Sequence, residues 1–454
     1  MGAKSFFIYT FGCQMNVYDS ERIARSLRGS GWSASPSAEA ADLVVVNTCS
    51  VRAKAEQKAF SLLGRLEPWK RQRPQRLLAV GGCVAEQEGG RLLERAPHVD
   101  LVFGPRAAGR LADLVEKRRR GRKPLVDVGG DGEAPPEAEP LPQERPSPVS
   151  RYVTIMQGCD NFCAYCVVPH VRGPERSRPP ERILAEIRVC VAEGAREVVL
   201  LGQNVNSYGA KEGWGPFPRL LARVNEIEGL RRIRFTTSHP KDLTDELASA
   251  FGRLDKLCPH IHLPVQSGSD RVLERMNRRY TRGHYLDKVA RLRDSFPGIA
   301  ITTDLIVGFP GETLEDFEAT LRLLEEVRFD GVFAFMYSDR PNVPAAGFSP
   351  KVPSQEKRRR LQALLRLQEG ITVGIHRALV GTRQEVLVEG PGRPIRSLGG
   401  KEGVTRWTGR TPGNKIVHFE SGGPPGRIPQ PGDEVVVRIT QAHAHSLSGV
   451  SEEG

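Results

Sequence analysis

Val153–Gly173 reads VTIMQGCDNFCAYCVVPHVRG, and the fold is decided here. VTIMQG is apolar and ends on glycine, the pattern of a buried strand entering a turn. Cys159, Cys163 and Cys166 follow at once, spaced C-x3-C-x2-C. Thiolates are natural ligands of iron–sulfur clusters, and one tight loop can wrap three of them around a cube. Zinc would want a fourth Cys or His nearby, and His170 keeps that alternative open. Three thiolates on a four-iron cluster leave one iron open, the arrangement by which a metal centre takes a substrate. That iron could chelate the amino and carboxylate groups of S-adenosylmethionine.

Working outward, VTIMQG, EVVLLGQ, RIRFTT, HIHLPV, AITTDLIVG and GVFAFMY are each followed by a helical segment. Six β/α units without a seventh or eighth predict an open, partial (β/α)6 barrel whose strand C-terminal ends carry the chemistry. Upstream, SFFIYT, a helix from about Tyr18, DLVVVNT, a helix from about Ala53 and LLAVGG give a parallel βαβ sheet. The basic run Lys117–Lys123 reads as the solvated end of a helix. Gly129–Ser150 is rich in Pro, Glu and Gly and reads as a linker. From about Arg377, QEVLVEG, RWTGRT, KIVHFE and DEVVVRIT alternate between Gly/Pro turns, the pattern of a small all-β barrel. The expected fold is therefore a multidomain α/β chain: a sheet domain over 1–128, a linker over 129–144, the barrel core over 145–375 and the small barrel over 376–450.

Cys13, Cys49 and Cys83 lie in FGCQMN, NTCSVR and GGCVAE, each just past a predicted strand. Neighbouring parallel strands end on one sheet edge, so these three could converge on a single metal site. The alternative is three small buried hydrophobes. Cys190, on an apolar helical face, and Cys258, before Pro259, read as packing residues.

The chain has 66 Lys+Arg against 54 Asp+Glu, a net charge of +12, which suits a polyanionic partner as well as it suits a basic solvated surface. No apolar run approaches the ~20 residues of a membrane span. The N-terminus lacks signal-peptide anatomy, so a cytoplasmic protein is expected, and eight cysteines there are better metal than disulfide candidates.

The triplet after the first barrel strand resembles the radical S-adenosylmethionine superfamily. With both cysteine trios in view, the chain resembles the methylthiotransferase family over nearly its whole length. TFGCQMNVYDSE, NTCSVRAKAEQK, CAYCVVPHVRGPERSRP, LLGQNVNSYG, SHPKDL, HLPVQSGSD and TTDLIVGFPGET are similar to the branch that makes 2-methylthio-N6-dimethylallyladenosine in transfer RNA. YSDRPNVPAA departs from the family, away from the cysteines. The resemblance implies two 4Fe–4S clusters, an auxiliary one on Cys13, Cys49 and Cys83 and a radical one on Cys159, Cys163 and Cys166. It also implies a C-terminal TRAM domain that binds RNA and the use of two S-adenosylmethionine molecules. One would donate a methyl group and the other a radical that removes hydrogen from adenine carbon 2. Implied partners are transfer RNA carrying a prenylated adenosine, a low-potential electron donor such as flavodoxin or ferredoxin, and a sulfur donor; a monomer is expected.

At the strand tips, Gln203, Asn204, Gln266, Ser267, Gly268 and Gly308 are candidate contacts for S-adenosylmethionine, with ordinary loop capping as the alternative. Tyr165 could lean towards the adenine or support its loop. Arg172, Glu175 and Arg178 could grip cofactor or phosphate, or be surface charges. From His376 onward there are ten Lys/Arg and eight Asp/Glu, so the small barrel is not strongly basic. Trp407 could stack on a base or fill the core.

Overall fold

The computed structural model describes residues 4–50, 53–121, 123–129, 149–392, 406–420 and 428–452. The expected 129–144 linker falls outside the described residues from 130 onward, and so does Arg122 of the basic run. The chain forms two compact units. One is the N-terminal segment with Gln157–Asp160 and Val167–Glu175; the other contains Asn161–Cys166 and everything from Arg176 onward, together with the strand preceding Gln157.

The first unit is built on a parallel sheet of order β2-β1-β3-β4-β5-β6, with β1 Ser5–Thr10, β2 Ser33–Ala34, β3 Leu43–Thr48, β4 Leu77–Gly82, β5 Leu101–Phe103 and β6 Leu125–Asp127. Every residue of β3 and β4 is buried, as a parallel sheet covered on both faces requires. Ile23, Leu27 and Leu111 pack on one face against Val45 and Ala79, while Leu62, Leu63 and Leu66 pack on the other against Val44, Val46 and Val80. β1, β3 and β4 lie where the sequence puts them; β2, β5 and β6, of two or three residues, are too short to announce themselves. The helix expected from about Tyr18 starts earlier, at Gln14, because Cys13 takes the extended position in front of it. The Ala53–Gln72 helix starts as expected. The basic run closes the Leu111–Arg120 helix, where Arg118 pairs with the buried Asp100 at 2.8 Å.

In the second unit the six expected strands are Ser150–Thr154, Glu197–Leu201, Arg232–Thr236, His260–His262, Ala300–Val307 and Gly331–Met336. They form two parallel sheets of three, with a parallel bridge between Ile233 and Leu257 just ahead of the fourth strand. One face packs on helices through Ile233, Phe235, Ile261, Leu305 and Val307 against Tyr285, Phe317 and Leu323. Cys190 belongs to that core, and Cys258 is buried too, as expected of packing residues.

The small barrel is closed, its strands running Arg383–Pro391, Arg406–Arg410, Ile416–Glu420, Leu447–Glu452 and Glu434–Ala442 around the wall. The Leu447–Glu452 strand was not foreseen; LSGVSE offers too few apolar residues to alternate. Val388, Trp407, Phe419 and Ile439 fill the interior, so Trp407, 6% exposed, is core. The 410–415 turn meets the N-terminal ends of the partial barrel. Arg232 donates to the Arg410 carbonyl at 2.7 Å and pairs with Glu385 and Glu434 at 3.0 Å each. Arg234 donates to the Thr411 and Pro412 carbonyls at 2.8 Å and pairs with Glu197 at 2.7 Å. Lys415 reaches Asp330 at 2.6 Å.

His260 is buried at this junction. Burial first, then the charge of Arg234, holds its imidazolium well below the ordinary 6.5. The native state therefore stays neutral where the unfolded chain binds a proton, and stability falls as pH drops below about 6.5, by up to ~1.4 kcal/mol per pH unit. His260→Gln should flatten the decline of the urea unfolding midpoint between about pH 6.5 and 5 by that one-proton share.

Candidate active site

The parallel register builds the first group of candidate ligands. Thr10 pairs with Asn47, Asn47 with Gly81 and Thr48 with Gly82, so β1, β3 and β4 end level with one another. Cys13, Cys49 and Cys83 follow those ends. Two buried asparagines lock the edge: Asn16 donates to the Thr48 carbonyl at 3.0 Å, and Asn47 donates to the Asn16 carbonyl at 2.9 Å. Gly12, at φ +131°, leaves room for Cys49, whose Cβ would stand 2.4 Å from any Cβ added there.

Cys13 precedes the Gln14–Gly29 helix and Cys83 opens the Cys83–Glu88 helix, so both meet the electropositive end of a helix. A hydrogen bond from Cys49 is the largest influence on the Cys13 thiol, which is lowered to about 6 against the opposing effect of burial, with help from Arg172. Burial pushes the Cys83 thiol up, and Arg172 opposes it. Arg172 closes the Val168–Arg172 helix and donates to Asp19 at 2.7 Å, with both side chains buried. Burial disfavours its charge, but Asp19 and the thiols of Cys83 and Cys13 more than offset that and hold it cationic. Arg172 and Glu175 are thus interior groups of this unit, not surface charges.

Among the described residues, no three His, Cys, Asp or Glu side chains are already gathered as a metal site. The donor chemistry nonetheless fits an iron–sulfur centre. Three soft thiols share one electropositive edge, and the nearby carboxylate, Asp19, is engaged by Arg172.

The second trio lies on the loop after the first barrel strand. Cys159, in the first unit, donates its amide to the Gly173 carbonyl at 3.2 Å. Cys163 and Cys166 belong to the second unit, where the Cys166 amide donates to the Cys163 carbonyl at 2.9 Å and tightens the turn. Asn277 donates to the Phe162 carbonyl at 2.9 Å, and Arg278 reaches Cys163 Sγ at 3.3 Å and the Tyr165 hydroxyl at 3.5 Å. Three thiols spaced C-x3-C-x2-C in sequence are the donor set that a four-iron cube takes. His170, the residue that kept zinc open, is exposed, whereas Cys159 and Cys163 are buried.

The remaining sequence candidates sit on the strand ends of the second unit. Gln203 is half-buried; Asn204 is buried and donates to Asp242 at 2.7 Å, leaving its Oδ1 without a partner. Gln266, at φ +74°, is clamped between the Asp304 carbonyl at 2.9 Å and the Ile306 amide at 3.0 Å. Ser267 is buried and accepts from the Ser269 amide at 3.2 Å, and the Gly308 amide donates to Glu312 at 2.9 Å. Arg178 is tied to Glu186 at 2.8 Å. Sequence reading missed Ser238 and His239 after the third strand, where Ser238 Oγ and His239 Nε2 are buried without partners and Asn206 donates to the His239 carbonyl at 3.5 Å. Burial takes His239 down to about 2, so its imidazole is neutral at working pH. The signal was SHP, two polar residues directly after an apolar strand.

Gly268 shows how tightly this rim is built. A Cβ there would lie 2.5 Å from Thr320 Cα and 2.6 Å from the Ala319 carbonyl, both helix backbone. Gly268→Ala is expected to destabilise the chain by about 1–3 kcal/mol in chemical denaturation and to weaken S-adenosylmethionine binding. Gly347→Ala, which meets nothing within 4 Å, serves as the neutral control.

Comparison with known proteins agrees with this division. Residues 5–104 match the uncharacterized protein family UPF0004, residues 153–324 the radical SAM superfamily and residues 377–450 the TRAM domain. Among solved structures, the radical S-adenosylmethionine methyltransferase TsrM from Kitasatospora setae superposes with a TM-score of 0.56 at 13% identity, over 87% of this chain and 80% of that one, which shows a shared fold. The tRNA-2-methylthio-N(6)-dimethylallyladenosine synthase of Desulfosudis oleivorans is 53% identical over 99% of this chain and 97% of its own length. The protein of the same name from Geobacter metallireducens is 52% identical over 99% and 98%. Identity at that level, sustained from the N-terminal sheet to the closed barrel, places the chain in the tRNA-2-methylthio-N(6)-dimethylallyladenosine synthase family of radical SAM proteins.

Proposed function

We infer that this chain is a radical S-adenosylmethionine methylthiotransferase that converts N6-dimethylallyladenosine, next to the anticodon of transfer RNA, to its 2-methylthio derivative with two S-adenosylmethionine molecules. The observation that carries this reading is the pair of thiol trios. A single trio serves a radical enzyme; a second one, at the edge of a separate sheet, supplies a place for sulfur.

Carbon 2 of adenine is neither acidic nor activated towards nucleophiles, so acid–base groups alone do not serve it. When bound, two 4Fe–4S clusters supply the one-electron reductant for cleaving the sulfonium and an iron site that carries sulfur. Cys159, Cys163 and Cys166 would hold the first, and Cys13, Cys49 and Cys83 the second. Arg172 contributes fixed positive charge beside the Cys13 and Cys83 thiols and orients its helix through Asp19. Tyr165, Gln203, Asn204, Gln266, Ser267 and Gly308 form the cofactor cradle. His239, neutral and buried, serves there as a hydrogen-bond partner and not as a proton source.

The domain division is 1–128 for the auxiliary site, 129–144 for the linker, 145–375 for the radical core and 376–450 for RNA binding. The protein acts as a cytoplasmic monomer with a low-potential donor such as flavodoxin or ferredoxin and a separate sulfur donor. Among the described residues, no helix is long and apolar enough to cross a membrane.

Anaerobically reconstituted protein should carry about eight irons, and Cys49→Ala or Cys163→Ala about four. Cys163→Ala should abolish 5′-deoxyadenosine formation, while Cys49→Ala should retain it and lose 2-methylthio product, read by mass spectrometry of transfer RNA nucleosides. Methylthiolation by the Cys49 variant, or a colourless protein holding only zinc, overturns the assignment.

A further inference from the structure

The Ala300–Val307 and Gly331–Met336 strands have two unlike faces. Ile301, Leu305, Val307, Val332 and Ala334 turn towards the helices and the main core. By the alternation of the strands Asp304, Ile306, Phe333 and Phe335 turn the other way, with Ile306 partly buried against the cluster that contains Ala164, Phe309 and Tyr337. Register places Asp304 beside Phe333 and Ile306 beside Phe335. On the adjoining strand His262 stands 3.5 Å from the Asp304 carboxylate, and its Nδ1 is 3.0 Å from Thr302 Oγ1. The Phe333 ring meets the His262 ring edge-on, with centroids 5.7 Å apart.

This face is neither core nor ordinary surface. Phe333 is 53% exposed and Phe335 38%, in a barrel whose other strand positions are mostly buried. Aromatic rings partly exposed beside a carboxylate acceptor suit a ligand that is apolar at one end and carries an N–H donor at the other. Gln266 adjoins the same place, since its amide donates to the Asp304 carbonyl.

We propose that the face formed by His262, Asp304, Ile306, Phe333 and Phe335 receives the dimethylallyl-bearing edge of the target adenine, with the aromatic rings and Ile306 covering the five-carbon branch and Asp304 accepting the alkylated N6–H. This rests on the substrate reading given above and adds to it the surface that selects prenylated over plain adenosine. The cofactor's own adenine has no alkyl branch, so two exposed phenylalanines would be of little use to it. Specificity here is apolar selection: plain adenosine leaves the rings wet, whereas the prenylated base desolvates them.

The test measures binding of two anticodon stem-loop RNAs, one with N6-dimethylallyladenosine and one with adenosine, to reconstituted full-length enzyme carrying Phe333→Ser and Phe335→Ser. The wild-type preference for the prenylated RNA should fall by about tenfold or more. Affinity for the plain RNA and for S-adenosylmethionine should change less than about twofold on the same scale. Phe333→Leu with Phe335→Leu, which keep apolar volume, should restore most of the preference. An unchanged preference in the serine variant overturns the proposal, and so does a loss of cofactor affinity as large as the loss of preference. The thermal midpoint, measured alongside, checks that the serine variant is folded; if it is not, Phe333→Ser alone carries the same comparison. If the wild type forms no 2-methylthio product at all, the substrate reading fails; if it forms product and the preference survives the serines, only this surface assignment fails.

Discussion

Level strand ends are the constraint on which the edge carrying Cys13, Cys49 and Cys83 depends. In a parallel sheet, residues far apart in sequence become neighbours only if their strands finish at the same height. The pairing of Thr10 with Asn47 and of Asn47 with Gly81 meets that condition, and the Asn16–Asn47 bonds hold it against slippage. Moving β3 by one residue would turn its side chains to the opposite face and carry Cys49 away from Cys13. Two buried amides thus help align three thiols that no local motif connects.

Electrostatics then acts on this frame. Helix starts at Cys13 and Cys83, together with a buried arginine, give the edge a positive character suited to thiolates and to an anionic centre. Arg172 lies six residues beyond Cys166 in sequence, so one short stretch contributes both to the radical motif and to the environment of the other trio. Asp19 matters as much as the arginine, because an unpaired guanidinium buried there would cost several kcal/mol.

Much of this was legible in the sequence. The central cysteine spacing, the six apolar strands and the closed barrel's alternating segments each carry a local pattern, and strand grammar brought Cys13, Cys49 and Cys83 to one edge. What stayed hidden depends on tertiary contacts. Arg172 and Glu175 read as charges of undecided use, and only packing shows them buried. Asn16, Asn47 and His239 are polar residues whose partners, or orphaned atoms, exist only after folding. Phe333 and Phe335 read as ordinary strand residues; their partial exposure is a property of the folded sheet and not of their local sequence. Short strands such as Leu101–Phe103 carry too few residues to show a period.

The seam between the small barrel and the larger one bears on how the TRAM domain can be studied. Arg232 and Arg234 find their acceptors on the 410–415 turn, on Glu385 and on Glu434, with Glu197 the one acceptor on the larger barrel's own side among the described residues. Excising the last seventy-odd residues would uncover two interior guanidiniums along with His260. Such a shortened chain would lose solubility or fold before it revealed anything about nucleic-acid affinity, so the appendage acts as a structural floor, inseparable from the catalytic body it serves.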